Sequence, residues 1–169
     1  FEQQELYRKI FWGVAAFFLL LMLWTAPQVG LNADDDIQNP YSDKLVDYYT
    51  SFGQDREIFD ITSVGVKGQT IKYYGAIYEL PAGLINRILG FESDEPAYHQ
   101  VRHLLNALFG FFALLFAGFI GRELGGWRTG VVVLLLLGLS PRFFGHAMMN
   151  PKDIPFACGY LMAMLYMIR

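Results

Sequence analysis

The chain is poor in charge and nearly devoid of cysteine. Only 17% of its 169 residues are Asp, Glu, Lys or Arg, against about 25% in an ordinary soluble domain. A single cysteine, Cys158, excludes an internal disulfide. It lies inside an apolar run, where a thiol behaves as a small inert hydrophobe. Basic residues are not in excess: 13 Lys and Arg stand against 16 Asp and Glu, a net charge of −3. A nucleic-acid partner, which is held through cation–phosphate contacts, is not indicated. Phosphate-loop spacing is also missing, and the glycines of "RELGGWRTG" read as a tight turn and close helix approach.

Apolar surface takes the place of charge. Hydrophobic residues make up 54% of the chain and the mean hydropathy is +0.29. The run "IFWGVAAFFLLLMLWTA", Ile10 to Ala26, carries no charge. With its flanks it reaches about 20 residues, the length that crosses a hydrocarbon core of ~30 Å. A cleaved signal peptide fits less well, because the run is long for one and "TAPQVGLNA" is a poor cleavage site. An all-α integral membrane fold is expected, with four transmembrane helices at about 8–27, 101–121, 128–145 and 154–168, and an outer loop over 28–100. The start at Phe1 and the end at Arg169 read as an N-terminal portion of a longer chain, inactive by itself.

Within the loop, "SDKLVDYYTSFG" reads as a short helix. Ser42 would cap it, Leu45, Tyr48, Tyr49 and Phe52 would form its apolar stripe, and Gly53 would end it. "EIFDITSVGVKGQTIKYYG" follows as extended or turn structure. Tyr73–Phe91 is apolar but contains Glu79, Pro81, Asn86 and Arg87. A charge at the bilayer centre costs ~2.5–3.5 kcal/mol, so an interfacial helix is expected rather than a span. Basic flanks agree. With a cytoplasmic N-terminus, Arg8, Lys9, Arg122, Arg128 and Arg169 all lie inside. A span over 73–91 would put Arg122 and Arg128 outside.

Two polar clusters then reach the same outer face. One is Asp34, Asp35 and Asp36, just after the first apolar run. Neighbouring carboxylates repel, which favours accepting a proton or binding a cation; a solvated loop start is the plain alternative. The other is "PRFFGHAMMNPKD", with Arg142, His146, Lys152 and Asp153 between two apolar runs. Cations at headgroup depth suit a lipid-linked phosphate. Snorkelling of Lys152 and a helix cap at Asp153 are the structural readings. His99 and His103 share a helix face but lack a third ligand, so packing is expected of them.

This layout resembles the GT-C superfamily of membrane glycosyltransferases, most of all the protein O-mannosyltransferase-like branch (family 39-like) that includes the aminoarabinose transferase. The resemblance rests on "DDDIQNPY" after the first span, "YYGAIYELPAGLINRILGF" as the interfacial helix, and "NPKDIPFA" opening a later span. Some relatives carry Lys-Pro where this chain has Leu80-Pro81. The resemblance implies a GT-C-type helical bundle and transfer of a sugar from a polyprenyl-phosphate-linked donor to a protein, lipid or glycan acceptor. The plasma (inner) membrane would hold it, with the active face extracytoplasmic. Asp35, Asp36 and Asp34 would be the catalytic carboxylates. Lys152, Asp153, Arg142 and Arg102 would bind the donor phosphate, and His146, Tyr74 and Glu79 are further site candidates. A divalent metal ion at Asp35 and Asp36 fits some relatives and not others. The alternatives are a polytopic transporter, which should line a path with polar groups inside its spans, and a non-catalytic membrane assembly subunit. Asn106 is the main polar residue inside an expected span.

Overall fold

A computed structural model of the protein describes residues 2–31, 35–60 and 75–169, apart from the side chain of Asp36. These residues form six helices: α1 Glu2–Thr25, α2 Asp35–Thr50, α3 Ala76–Leu89, α4 Pro96–Gly138, α5 Pro141–Met149 and α6 Asp153–Met167. Two 3₁₀ turns, Ala26–Gln28 and Glu57–Phe59, accompany them, and no strand occurs among the described residues. The chain divides into two compact units, a bundle unit of residues 1–29 and 103–169 and a loop unit of residues 30–102.

In the bundle unit, α1 is apolar on every side from Ile10 onward, after a polar start at Glu2–Lys9. Phe11, Ala15, Phe18 and Met22 form its buried face. Leu6, Ile10, Phe17, Leu20 and Trp24 are exposed on the others. A helix that is hydrophobic all round needs an apolar surrounding. With its terminal turn it runs 27 residues, and α4 runs 43, so two helices are long and apolar enough to cross a membrane.

α4 is not one rod. It breaks at Gly125 and Gly126, and Gly126 takes φ +77°, a conformation that side chains with a Cβ disfavour. The arms 96–124 and 127–138 fold back on each other along glycines. A Cβ at Gly118 would lie 2.7 Å from Leu134 Cδ2, and one at Gly121 2.8 Å from Val133 Cγ2. Phe11 packs on this hairpin, 5.3 Å from the ring centroids of both Phe119 and Trp127. Gly138 matters most. A Cβ there would lie 2.4 Å from Phe18 Cζ, and Phe18 is fully enclosed. Gly138→Val is therefore expected to cost at least ~1–3 kcal/mol through overpacking, read as a lower temperature of unfolding in nanodiscs. Gly13→Ala, where a Cβ meets nothing within 4 Å, is expected to be neutral or stabilising by up to ~1 kcal/mol.

The third expected span, 128–145, is interrupted. The second arm of α4 ends at Gly138, and Ser140 is extended at ψ 114° before Pro141 opens α5. A proline disfavours the helical conformation of the residue before it. The Ser140 hydroxyl then accepts from the Phe143 N–H at 3.4 Å and caps the new helix. α6 is apolar but has 15 residues, about 22 Å at 1.5 Å per residue.

Side-chain contacts join the ends of these helices. Gln4 lies against Gly126, and Arg169 Nε donates to Glu123 Oε1 at 3.1 Å. The Arg122 guanidinium sits 4.7 Å from the Trp127 ring centroid. The start of α1, the hairpin turn and the end of α6 therefore share one end of the bundle unit.

In the loop unit, α2 begins at Asp35, upstream of the expected Ser42 cap. Ser42 lies in mid-helix and donates to the Glu79 carbonyl at 2.7 Å. Asp35, Gln38, Asn39, Ser42, Leu45 and Val46 form the buried face of α2, at the 3–4 residue spacing of one helix side. Of the expected stripe, Leu45 is buried and Tyr48 packs beside it. Tyr49 and Phe52 face outward, Phe52 at 95% exposure. Gly53, at φ +79°, ends the helix by donating to the Tyr48 carbonyl at 2.8 Å.

Gly83 brings α3 onto α2, since a Cβ there would lie 2.7 Å from Ser42 Oγ. α3 turns Tyr78, Glu79, Ala82 and Asn86 inward. Its outer side carries exposed Ile77, Ile88 and Leu89. Fourteen residues cover about 21 Å, too few for a straight crossing of ~30 Å. Of the stretch expected as extended or turn, Glu57–Phe59 is a 3₁₀ turn, and 61–74 lie outside the described residues.

Candidate functional site

The loop unit holds a layer of buried polar groups. At its centre Arg102 Nη2 donates to Glu79 Oε2 at 2.7 Å, and Arg102 is 2% exposed. Its guanidinium lies 5.5 Å from the Tyr78 ring centroid and 5.9 Å from that of Tyr98, within cation–π range. The Tyr78 hydroxyl donates to the Arg102 carbonyl at 2.7 Å, and the Asn86 amide donates to the Tyr98 carbonyl at 3.2 Å. The Tyr98 hydroxyl donates to Asp43 Oδ1 at 3.2 Å. Burial raises the Asp43 carboxyl above its usual range, opposed by the Tyr98 bond and by Arg87 and Arg102. Burial likewise pushes the Tyr78 hydroxyl well above the usual tyrosine range.

Asp35 sits at the start of α2, 7% exposed. Its Oδ2 lies 4.0 Å from His99 Nδ1. His99 Nε2 is 3.1 Å from the Ser93 carbonyl. Beside these, both amide atoms of Gln38, Asn39 Oδ1 and Arg102 Nη1 are enclosed without a hydrogen-bond partner. Leaving such groups unmade costs roughly 1–3 kcal/mol each.

The bundle unit holds a second cluster, at the corner where α5 meets α6. Asn150 organises it. Its Oδ1 accepts from the N–H groups of Lys152 at 3.3 Å and Asp153 at 3.0 Å. Its Nδ2 lies 3.0 Å from His146 Nδ1 and donates to Asp153 Oδ2 at 2.9 Å. The Asn-Pro pair therefore makes an Asx turn that starts α6, and Asp153 is its first-turn carboxylate rather than its cap. Arg142 and His146 are exposed at this corner. Asn106, buried in the first arm of α4, donates to the carbonyls of His146 at 3.2 Å and Ala147 at 3.0 Å. Its amide holds α5 against α4, where Gly110 and Ala147 also meet.

The expected site residues are thus redistributed. Lys152, Asp153, Arg142 and His146 gather at the α5–α6 corner. Arg102, expected among the phosphate ligands, is buried and paired with Glu79, the counter-charge that an enclosed guanidinium requires. Glu79 is committed to the same pair. Asp34, Tyr74 and the side chain of Asp36 lie outside the described residues. No group of three His, Cys, Asp or Glu side chains suited to a metal occurs among the described residues. Asp35 and His99 supply two donors, one short of the three protein ligands of a catalytic zinc site. Asn150, Gln38 and the Asp35–His99 pairing had no sequence signal of function, although Asn-Pro before a charged pair is a legible turn.

Compared with protein-family models, curated proteins and solved structures, the chain matches none.

Proposed function

We propose that the chain is the N-terminal part of a GT-C-type membrane glycosyltransferase. It would move a sugar from a polyprenyl-phosphate-linked donor to an acceptor hydroxyl at the extracytoplasmic face of the plasma membrane. The observation that carries this reading is Asp35. It is a carboxylate withdrawn from solvent, faced by His99, and placed soon after an apolar helix long enough to cross a bilayer. A carboxylate kept only for solubility would have no reason to be enclosed.

In this reading Asp35 takes the proton of the acceptor O–H, and the oxygen attacks the anomeric carbon. The carbon–oxygen bond to the phosphate breaks with inversion, and its electron pair leaves on the phosphate oxygen. On the bundle unit, Lys152 is the cation proposed to bind a lipid-linked phosphate, with Arg142 exposed at the same corner. The shared end of α1, the hairpin turn and α6 carries Arg122, Arg128 and Arg169, which supports a cytoplasmic assignment for that end. Asn106 is turned to backbone carbonyls rather than to a path, which favours the enzyme over a transporter.

Lys152→Ala in the full-length protein is expected to raise the KM for the polyprenyl-phosphate donor. The loss of a charged hydrogen bond, ~1.5–3 kcal/mol, corresponds to roughly 10- to 150-fold. Lys152→Arg should keep part of the function, since the charge remains and the geometry changes. Donor kinetics in defined lipid measure both. Unchanged KM and turnover in Lys152→Ala would reduce the residue to a helix flank.

A further inference from the structure

Resting on the phosphate reading of the α5–α6 corner, we propose that Asn150 is a positioning residue that fixes the His146 imidazole as a hydrogen-bond donor to the phosphate of a lipid-linked ligand. The Asn150 carboxamide has one orientation open to it. Its Oδ1 accepts from the backbone N–H groups of Lys152 at 3.3 Å and Asp153 at 3.0 Å. A backbone N–H only donates, so the carbonyl oxygen and not the amide nitrogen occupies that side. The amide nitrogen faces the other way, with two hydrogens for two acceptors. One hydrogen goes to Asp153 Oδ2 at 2.9 Å and the other to His146 Nδ1 at 3.0 Å. Nδ1 must accept, so in this arrangement the ring is neutral and carries its proton on Nε2.

The backbone of His146 is held as well. Its carbonyl accepts from the buried Asn106 amide at 3.2 Å and from the Asn150 N–H at 2.9 Å. His146 is nevertheless exposed, and no group among the described residues meets Nε2. An exposed imidazole left to itself pivots; this one is tied at its carbonyl and at Nδ1, and turns one N–H outward. Arg142 stands one turn earlier on the same side of α5, also exposed. A guanidinium and a neutral N–H at that spacing suit an oxyanion, which only accepts. A hydroxyl could meet the N–H but would gain nothing from the Arg142 charge. With Nδ1 occupied and Nε2 protonated, His146 has no lone pair to take up a proton, so it is a phosphate ligand and not an acid–base group. Asp153 opposes an anion at this corner, but its Oδ2 is turned to the Asn150 amide.

The test follows the ring ¹⁵N resonances of His146, read through its carbon-bound protons. The full-length protein is held in phosphatidylcholine nanodiscs with and without undecaprenyl phosphate. At neutral pH Nε2 should be protonated and Nδ1 not, and Nε2 should shift when undecaprenyl phosphate is present. His146→Phe and Arg142→Gln should each weaken binding of that lipid by roughly 10-fold. Asn150→Asp keeps an oxygen for the two backbone N–H groups, and so keeps the turn, but sets a second oxygen against Nδ1. It should put a proton on Nδ1, a change that loss of packing alone does not produce. A proton on Nδ1 in the unsubstituted protein would overturn the proposal without any variant. So would unchanged lipid affinity in His146→Phe, or an unprotonated Nδ1 in Asn150→Asp. An Nε2 that responds to inorganic phosphate and not to undecaprenyl phosphate would rule out the lipid-linked ligand. Binding of the lipid that depends on His146, in a protein without sugar transfer, would uphold this subsite and sink the glycosyltransferase reading.

Discussion

If Asp35 is the proposed base, Asp35→Asn is expected to lower the proposed sugar-transfer turnover by about 10²- to 10⁴-fold, the range for loss of a positioned general base. The substitution changes one oxygen to an amide and almost no volume. Packing on the buried face of α2 is therefore retained, and the folded fraction should stay near that of the unsubstituted protein. The amide cannot take up the acceptor's proton at neutral pH, so the loss falls on the chemical step and donor affinity should change little. Asp43→Asn is the matched control. Asp43 is also partly enclosed on α2 and receives the Tyr98 hydroxyl, so its substitution should cost stability of about 1 kcal/mol and leave transfer largely in place. Single-turnover rates with a radiolabelled donor distinguish the two. Full activity in a protein carrying both Asp35→Asn and Asp36→Asn would end the acid–base assignment.

Arg102→Met should be the most destabilising single change in the loop unit, by ~3–5 kcal/mol, because it removes the buried counter-charge of the Glu79 carboxylate. The same holds for Glu79→Leu, which strands the guanidinium between Tyr78 and Tyr98. Removing both charges together is expected to restore much of the loss, since two apolar side chains of similar bulk have no desolvation penalty to offset. The non-additivity is the diagnostic result, because residues without mutual contact give additive changes within a few tenths of a kcal/mol. Thermal unfolding of the loop unit, followed by proteolysis at exposed sites such as Phe52, reads it out. Single variants as stable as the unsubstituted protein would show that the pair does not hold α3 to α4.

The apolar helices were legible because their signal is local. A run without charge over Ile10–Ala26 forms a helix wherever it is placed, since every backbone group is satisfied within the segment and no side chain asks for water. The hairpin turn was equally local. Gly125-Gly126 between arginines permits a positive φ that no other pair nearby allows. The stop at Gly53 and the interruption by Ser140-Pro141 are of the same kind. The first was read correctly, while the second was masked by the apolar residues on either side, which were counted as one run. Ser42 shows the opposite case. It has the composition of a cap and lies in mid-helix, because its hydroxyl finds the Glu79 carbonyl on another helix. Capping is a preference of about 1 kcal/mol, and burial against α3 outweighs it.

The sequence by itself determined that this chain is helical and rich in long apolar runs, whereas it read four spans where the structure has two helices long and apolar enough for a bilayer. Helicity and apolar runs follow from hydrophobic patterning, which acts along the chain over one or two turns. Only the tertiary structure decided which polar residues are enclosed and with whom. Arg102 could not be known as the partner of Glu79, nor His99 as the neighbour of Asp35, because residues 23 and 64 positions apart meet through the packing of α2, α3 and α4. A charge far from its partner in sequence carries no local mark of the pairing. Its cost of burial and the counter-charge that offsets it arise only when the helices close on one another.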